Sequence, residues 1–239
     1  QEMMESEGQE VACVIVEPVA GNMGVVPPKP GFLEGLREVT ARNGALLIFD
    51  EVITGFRLAK GGYQELSGVT PDLTTLGKAL GAGLPVGAFG GRAEVMDRLA
   101  PDGPVYQAGT LSGNPLAVAA GLASLEEISH DGFYVALERR AAALERGLVD
   151  AISAGPVHAV INRVGSMLTL FFASDEVDGY DAASSADTAR FGAFFKAMRA
   201  RGINLPPSQF ESWFVSSAHT DEDVEKTVEA ARGALSEMK

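Results

Sequence analysis

Two side chains in this sequence stand where covalent and acid–base chemistry would use them. Lys78 lies in Thr74-Thr75-Leu76-Gly77-Lys78-Ala79-Leu80-Gly81-Ala82-Gly83, among apolar residues and glycines rather than the charges that accompany a solvated lysine. Desolvation favours the neutral form of an amine, the form that attacks a carbonyl. An exposed lysine in a glycine-rich turn fits the same pattern equally well. Asp50 directly follows the apolar run Ala45-Leu46-Leu47-Ile48-Phe49. A carboxylate at a strand end can stabilise a protonated ring nitrogen, ligate a metal ion or cap a local loop.

An Asp and a Lys are the minimum that a pyridoxal phosphate site requires, one to tune the ring nitrogen and one to form a Schiff base. The pair alone is a weak signal, and three further stretches strengthen it. Glu17-Pro18-Val19-Ala20-Gly21-Asn22 follows an earlier apolar run. Tyr106-Gln107-Ala108-Gly109-Thr110 precedes Ser112-Gly113-Asn114-Pro115 and a helical pattern, where backbone N–H groups and a hydroxyl could hold a phosphate. Pro206-Pro207-Ser208-Gln209-Phe210-Glu211 is a polar insertion whose Glu211 could face a substrate. His130, His158 and His219 lack ligand spacing, and no metal site is expected. Neither a G-x-S-x-G elbow, a G-x-G-x-x-G turn nor a Walker A loop occurs.

The elements that must carry these residues are legible as periodicity. Val11–Val16 and Ala45–Phe49 are continuous apolar runs, as in strands buried on both faces of a mostly parallel sheet. Cys13, inside the first run, is expected to be a buried small hydrophobe. Phe32, Leu33, Leu36 and Val39 have helical spacing and Gly44 supplies a stop, giving a β-α-β unit. Further strands are expected over Leu73–Leu76 and Val86–Phe89. Asn114-Pro115 reads as the cap and first residue of a helix. Another long helix is expected from about Gly132 to Ile152, then strands over Val157–Asn162 and Met167–Phe172. A helix over Ser184–Arg201, short segments near Ile203–Leu205 and Trp213–Ser216, and a final helix opened by the capping-box pattern Thr220-Asp221-Glu222-Asp223 complete the reading. The domain boundary falls near Asp131, with residues 1–131 forming one domain and 132–239 a smaller α+β one.

Composition narrows the partners. Lys and Arg total 19 against 32 Asp and Glu, a net charge of -13 that repels a phosphate backbone, so nucleic acid is not expected. A 46% hydrophobic and 21% charged composition is that of an ordinary globular protein. No apolar stretch is long enough to span a membrane, and QEMMESEGQE is acidic rather than signal-like, so a membrane is not expected either. With one cysteine no intrachain disulfide can form, which points to a reducing compartment such as the cytoplasm. The 28 glycines, many beside strand-like runs, exceed common usage and suggest a backbone shaped around a ligand.

The runs EPVAGNMGVVPPKPGFLEGLREVTARNGALLIFDEVITGFR, GVTPDLTTLGKALGAGLPVGAFGG, YQAGTLSGNPLA and PPSQFESWFVSSAHTDED together resemble the glutamate-1-semialdehyde 2,1-aminomutases. These are fold-type I pyridoxal-phosphate enzymes related to the class III aminotransferases. The resemblance implies an α/β fold: the C-terminal portion of a PLP-dependent transferase, with part of a mostly parallel sheet, flanking helices and a smaller α+β lobe. It implies pyridoxal 5'-phosphate or pyridoxamine 5'-phosphate as cofactor, Lys78 as the Schiff-base lysine and Asp50 at the pyridine nitrogen. Val52 would pack on the ring, Asn22 would lie near its 3'-oxygen, and Gly109 with Thr110 would hold the phosphate of a neighbouring subunit's cofactor. Glu211 would sit near the substrate entrance. The expected partners are a missing N-terminal portion of the same protein, a second copy in a homodimer with shared sites, and a small anionic amino-aldehyde substrate. A class III omega-aminotransferase using an external keto acid is the alternative.

Overall fold

The computed structural model describes residues 2–238. They form two compact units, one built from the residues up to Pro18 with Lys29–Asp131, the other from Val19–Pro28 with Gly132 onward.

In the first unit a short helix α1 (Glu2–Glu7) precedes strand β1 (Cys13–Val16), helix α2 (Phe32–Asn43) and strand β2 (Leu46–Asp50). Helix α3 (Gly62–Ser67), strand β3 (Leu73–Leu76), a 3-10 turn (Lys78–Gly81), strand β4 (Ala88–Gly91), helix α4 (Ala93–Met96) and helix α5 (Pro115–Ile128) follow. The sheet order is β1-β2-β3-β4. The first three strands run parallel, with Ile15 opposite Ile48 and Asp50 opposite Thr75, and β4 runs antiparallel to β3. Helix α2 stops where Gly44 takes a left-handed conformation (φ 69°) and its N–H closes onto Thr40 and Ala41. Leu33, Leu47, Phe49 and Val69 form the core under α2.

Alternation of side chains makes β2 two-faced. Leu47 and Phe49 point into that core, while Ile48 and Asp50 share the opposite face with Ile15 and Thr75. This opposite face is open: Ile15 and Cys13 on edge strand β1 are exposed, although their apolar run reads as buried on both sides. An unbroken apolar run reports the hydrophobicity of both faces. It does not report whether this chain supplies the layer that covers each one.

Just before β3, buried Asp72 ties three elements together. It accepts the Leu47 N–H at 2.7 Å and pairs with Arg37 at 2.8 Å and Arg92 at 2.9 Å. Burial opposes ionisation of Asp72, but the Leu47 N–H and the Arg92 and Arg37 guanidiniums outweigh it and hold the carboxyl below the ordinary carboxylate range.

The second unit contains helix α6 (Phe133–Ala154), strands β5 (Val160–Val164) and β6 (Met167–Phe171), helices α7 (Tyr180–Ser185) and α8 (Thr188–Ala200), strand β7 (Trp213–Phe214) and helix α9 (Asp221–Ser236). Its sheet is antiparallel in the order β5-β6-β7. Leu148, Leu168, Phe194, Met198, Ala231 and Leu235 meet in its main core, and Val26, Phe171, Val177 and Ala183 form a second cluster. The expected single helix over 184–201 is two helices, because Asp187 accepts the Arg190 N–H and caps α8 afresh. The capping box of α9 is formed in full by Thr220 and Asp223. Trp213 is 5% exposed, and its indole N–H has no hydrogen-bond partner.

Residues 19–28 lie with this second unit, whereas the sequence reading places them in the first domain. Their attachment is polar and specific. The Val25 N–H donates to Thr169 Oγ1 at 2.9 Å, and Asn162 Nδ2 donates to the Val25 carbonyl at 2.9 Å. Pairing at such sequence distance leaves no trace in local periodicity.

Candidate active site

Parallel strands deliver their carboxyl ends to one edge of a sheet, and ligands of open α/β sheets bind beyond that edge. Asp50 closes β2 there, and Lys78 follows β3, its neighbour. Two donors fix the Asp50 carboxylate: the Val52 N–H and the Thr75 hydroxyl each reach Oδ1 at 3.1 Å. Oδ2 takes no hydrogen bond from any described residue. Thr75 stands directly opposite Asp50 in the ladder, so the register itself supplies the second donor.

Lys78 opens the 3-10 turn with φ 42°, a left-handed backbone conformation that costs a non-glycine residue about 1–2 kcal/mol. Such strain persists where surrounding structure imposes it, commonly at functional positions. Helix α5 imposes it here. Ser124 Oγ donates to the Ala79 carbonyl at 3.2 Å, and an added Cβ on Gly121 would fall 2.7 Å from the Leu80 oxygen. Only glycine lets the helix approach the turn this closely. The Lys78 side chain is exposed and makes no hydrogen bond or ion pair with any described residue. Of the two readings its sequence neighbours allow, the structure gives the exposed one: those apolar side chains belong to a turn at the sheet edge.

Val52 reaches the same place, since a Cβ added to Gly77 would lie 3.4 Å from Val52 Cγ1. Asp50, Val52 and Lys78 are thus gathered at adjacent strand ends. Gly109 and Thr110 sit in the exposed loop leading into α5, where the Ser112 N–H closes a turn onto the Gly109 carbonyl at 2.9 Å. As expected from Asn114-Pro115, the Asn114 side chain caps α5 by accepting the Ala117 N–H at 3.0 Å.

Asn22 and Glu211 belong to the second unit, where they form a cluster of their own. The Gly24 N–H donates to the Phe210 carbonyl at 2.8 Å and Ser212 Oγ donates to the Gly21 carbonyl at 3.0 Å, which lays the Asn22 loop against the Glu211 loop. Both side chains are exposed. No group of three side chains able to hold a metal ion occurs among the described residues. Sequence reasoning missed Thr75, whose part emerges only from its register opposite Asp50, and Glu51, which lies wholly buried behind it.

The class III aminotransferase family profile matches residues 1–231. The chain belongs to the class III aminotransferases. Among relatives of this family, the glutamate-1-semialdehyde 2,1-aminomutase of Pelotomaculum thermopropionicum is 62% identical over 98% of the chain and 54% of its own length. The aminomutase of Thermomicrobium roseum is 62% identical over 97% of the chain and 54% of its own length. Among solved structures, an omega-transaminase from Sphaerobacter thermophilus superposes with a TM-score of 0.92 at 32% identity, covering 98% of this chain and 54% of that one. A glutamate-1-semialdehyde-aminomutase from Pseudomonas aeruginosa PAO1 in complex with PMP gives 0.85 at 29% identity, over 95% and 52%. The chain spans about half the length of the curated relatives it matches.

Proposed function

We propose that the complete protein, of which this chain forms the C-terminal portion, converts (S)-4-amino-5-oxopentanoate, the 1-semialdehyde of glutamate, into 5-aminolevulinate for tetrapyrrole synthesis. The observation that carries this reading is the 62% identity to aminomutases across nearly the whole chain, with Asp50 and Lys78 at neighbouring strand ends. Pyridoxal or pyridoxamine 5'-phosphate fits the groups left uncommitted there: an Asp50 oxygen without a donor and an unpaired Lys78 amine. When bound, the cofactor supplies an electron sink for the carbanion character developed at the substrate carbon.

Asp50 Oδ2 would accept the ring nitrogen's N–H and keep it protonated. Lys78 Nζ would anchor the cofactor and carry protons to and from the reacting carbon, a positioned acid–base. Val52 would pack against the ring. The family resemblance would assign Asn22 to the ring's 3'-oxygen and Glu211 to the substrate entrance. The overall change is an isomerisation in which the amino group moves to the neighbouring carbon, with no external amino donor or keto acid consumed.

The protein would act as a homodimer in which Gly109 and Thr110 serve the partner subunit's cofactor phosphate. In support, Tyr106 is 82% exposed and Leu116 76%, with Leu111 and Leu122 exposed nearby, more apolar surface than a loop and helix start leave in water without a partner. No described helix is long and apolar enough to cross a membrane. An exposed lone thiol at Cys13 fits the reducing cytoplasm.

An omega-aminotransferase is the second reading, favoured by the TM-score of 0.92 to the Sphaerobacter thermophilus enzyme. The deciding experiment gives full-length protein the semialdehyde without any keto acid. Sustained formation of 5-aminolevulinate supports the aminomutase, and turnover only after a keto acid is added supports the transaminase. Borohydride treatment of full-length protein first stripped of cofactor and reloaded with pyridoxal phosphate should attach the cofactor permanently to Lys78, as read by peptide mass. Attachment elsewhere, or none, overturns the assignment of Lys78.

A further inference from the structure

Next to Asp50 lies a carboxylate that the proposed chemistry does not use. Glu51 is 1% exposed and fully engaged. Its Oε2 accepts the Tyr63 N–H at 2.6 Å and the Thr54 hydroxyl at 2.9 Å. Its Oε1 accepts Gln64 Nε2 at 3.0 Å and the Gln64 N–H at 3.2 Å. Gln64 Nε2 continues to Thr74 Oγ1 at 3.2 Å. Successive residues on a strand point to opposite faces, so two networks run back to back through β2 and β3. Asp50 with Thr75 occupies the face beyond which the cofactor is placed, and Glu51 with Gln64 and Thr74 occupies the other.

The main chain couples them. The Glu51 N–H donates to the Thr75 carbonyl at 3.0 Å, and the Gly55 N–H closes a turn onto the Glu51 carbonyl at 2.8 Å. That turn holds Val52, whose N–H is one of the two donors on Asp50. Its far side is closed by Thr54 on the Glu51 carboxylate. Asp50 therefore owes its orientation to a turn whose ends Glu51 fastens. Gly62 confirms how tightly the site is shaped: it has φ 72°, and an added Cβ there would collide with the Glu51 carboxylate.

We infer that Glu51 is a positioning residue: by fastening the turn 51–55 and the start of α3, it holds the Val52 N–H on Asp50 and so fixes the carboxylate that faces the ring nitrogen. This rests on the reading of Asp50 as the ring-nitrogen partner. Its effect passes through Asp50, which a purely structural role would not require.

The test uses full-length protein stripped of cofactor and titrated with pyridoxal phosphate by visible absorbance. Relative to the parent, Glu51→Gln should bind about tenfold more weakly, roughly the worth of one net hydrogen bond. Its absorbance maximum should shift in the same direction as that of Asp50→Asn. The double variant should bind no more weakly than Asp50→Asn alone. Multiplying losses in the double variant, or a Glu51→Gln protein with the parent's affinity and spectrum, overturns the inference while leaving the cofactor reading intact. A parent protein that takes up no pyridoxal phosphate overturns the reading and the inference with it. Should Glu51→Gln not fold, Thr54→Val decides by the same criteria, since it removes the hydroxyl that fastens the turn to the Glu51 carboxylate.

Discussion

The Asp72 clamp ties together the strands that carry Asp50 and Lys78, and its removal can be worked through in numbers. In Asp72→Ala the Leu47 N–H, buried within β2, loses its 2.7 Å acceptor. An orphaned buried donor costs about 1–3 kcal/mol. Arg37 and Arg92 are 28% and 53% exposed, so solvent screening limits each lost pair to at most about 1 kcal/mol. The sum is roughly 3 kcal/mol, or on the order of a hundredfold in a local opening equilibrium. Asp72→Asn should cost far less, about 1 kcal/mol. Its amide oxygen can keep Leu47 and Arg37, and its NH2 need only displace Arg92 toward water.

Hydrogen exchange read by mass spectrometry on peptides spanning residues 46–50 and 73–76 measures this directly. Acid adds a second signature. The folded pKa of Asp72 lies below its ordinary value of 3.8, so the linked stabilisation is complete above that value. It is lost as pH falls below 3.8 through the folded pKa. The gap between parent and Asp72→Ala should therefore hold constant at neutral pH and narrow only in strong acid. Equal damage from Asn and Ala, or a gap that narrows already at neutral pH, would refute the argument.

Two more outcomes follow from the same geometry. Gly121→Ala should destabilise despite the roughly 1 kcal/mol that alanine normally adds to a helix interior, because its Cβ meets the Leu80 carbonyl. A lowered melting temperature together with weaker cofactor retention is expected, and a raised melting temperature with full retention would show that α5 does not brace the Lys78 turn. In full-length protein, Thr110→Ala and Lys78→Ala subunits should each be inactive or severely impaired alone, yet recover activity in mixed dimers if Thr110 serves the partner's site. Absence of recovery in a mixed species verified by native mass would count against the shared site.

What was legible in the sequence was local. Gly44 ending α2, Asn114-Pro115 opening α5 and the Thr220–Asp223 box on α9 are short-range chemistry, and each element stands where those residues place it. The parallel sheet followed from two apolar runs flanking one amphipathic helix. The rest depended on distance along the chain. The Val25–Thr169 bond joins residues 144 positions apart, so nothing near Val19–Pro28 revealed its attachment to the second unit. Glu51 reads in sequence only as the neighbour of Asp50, and nothing beside it reveals its partners Tyr63 and Gln64, which are a loop away. Cys13 is exposed where its apolar run suggested burial, because β1 is an edge strand of this chain's sheet, and of the two readings of Lys78 the structure gives the exposed one.

The single tryptophan gives the second unit a private optical reporter. Trp213 is packed in that unit's core with an indole N–H that bonds to nothing, an environment that calls for blue-shifted emission in the folded state and a red shift on exposure to water. The first unit has no such fluorophore. A denaturation curve followed by tryptophan emission would therefore watch only the second unit, while the helical circular dichroism signal follows both. Coincident curves would mean that the units melt as one cooperative body, and separated curves would assign the later or earlier transition to the second unit without any labelling.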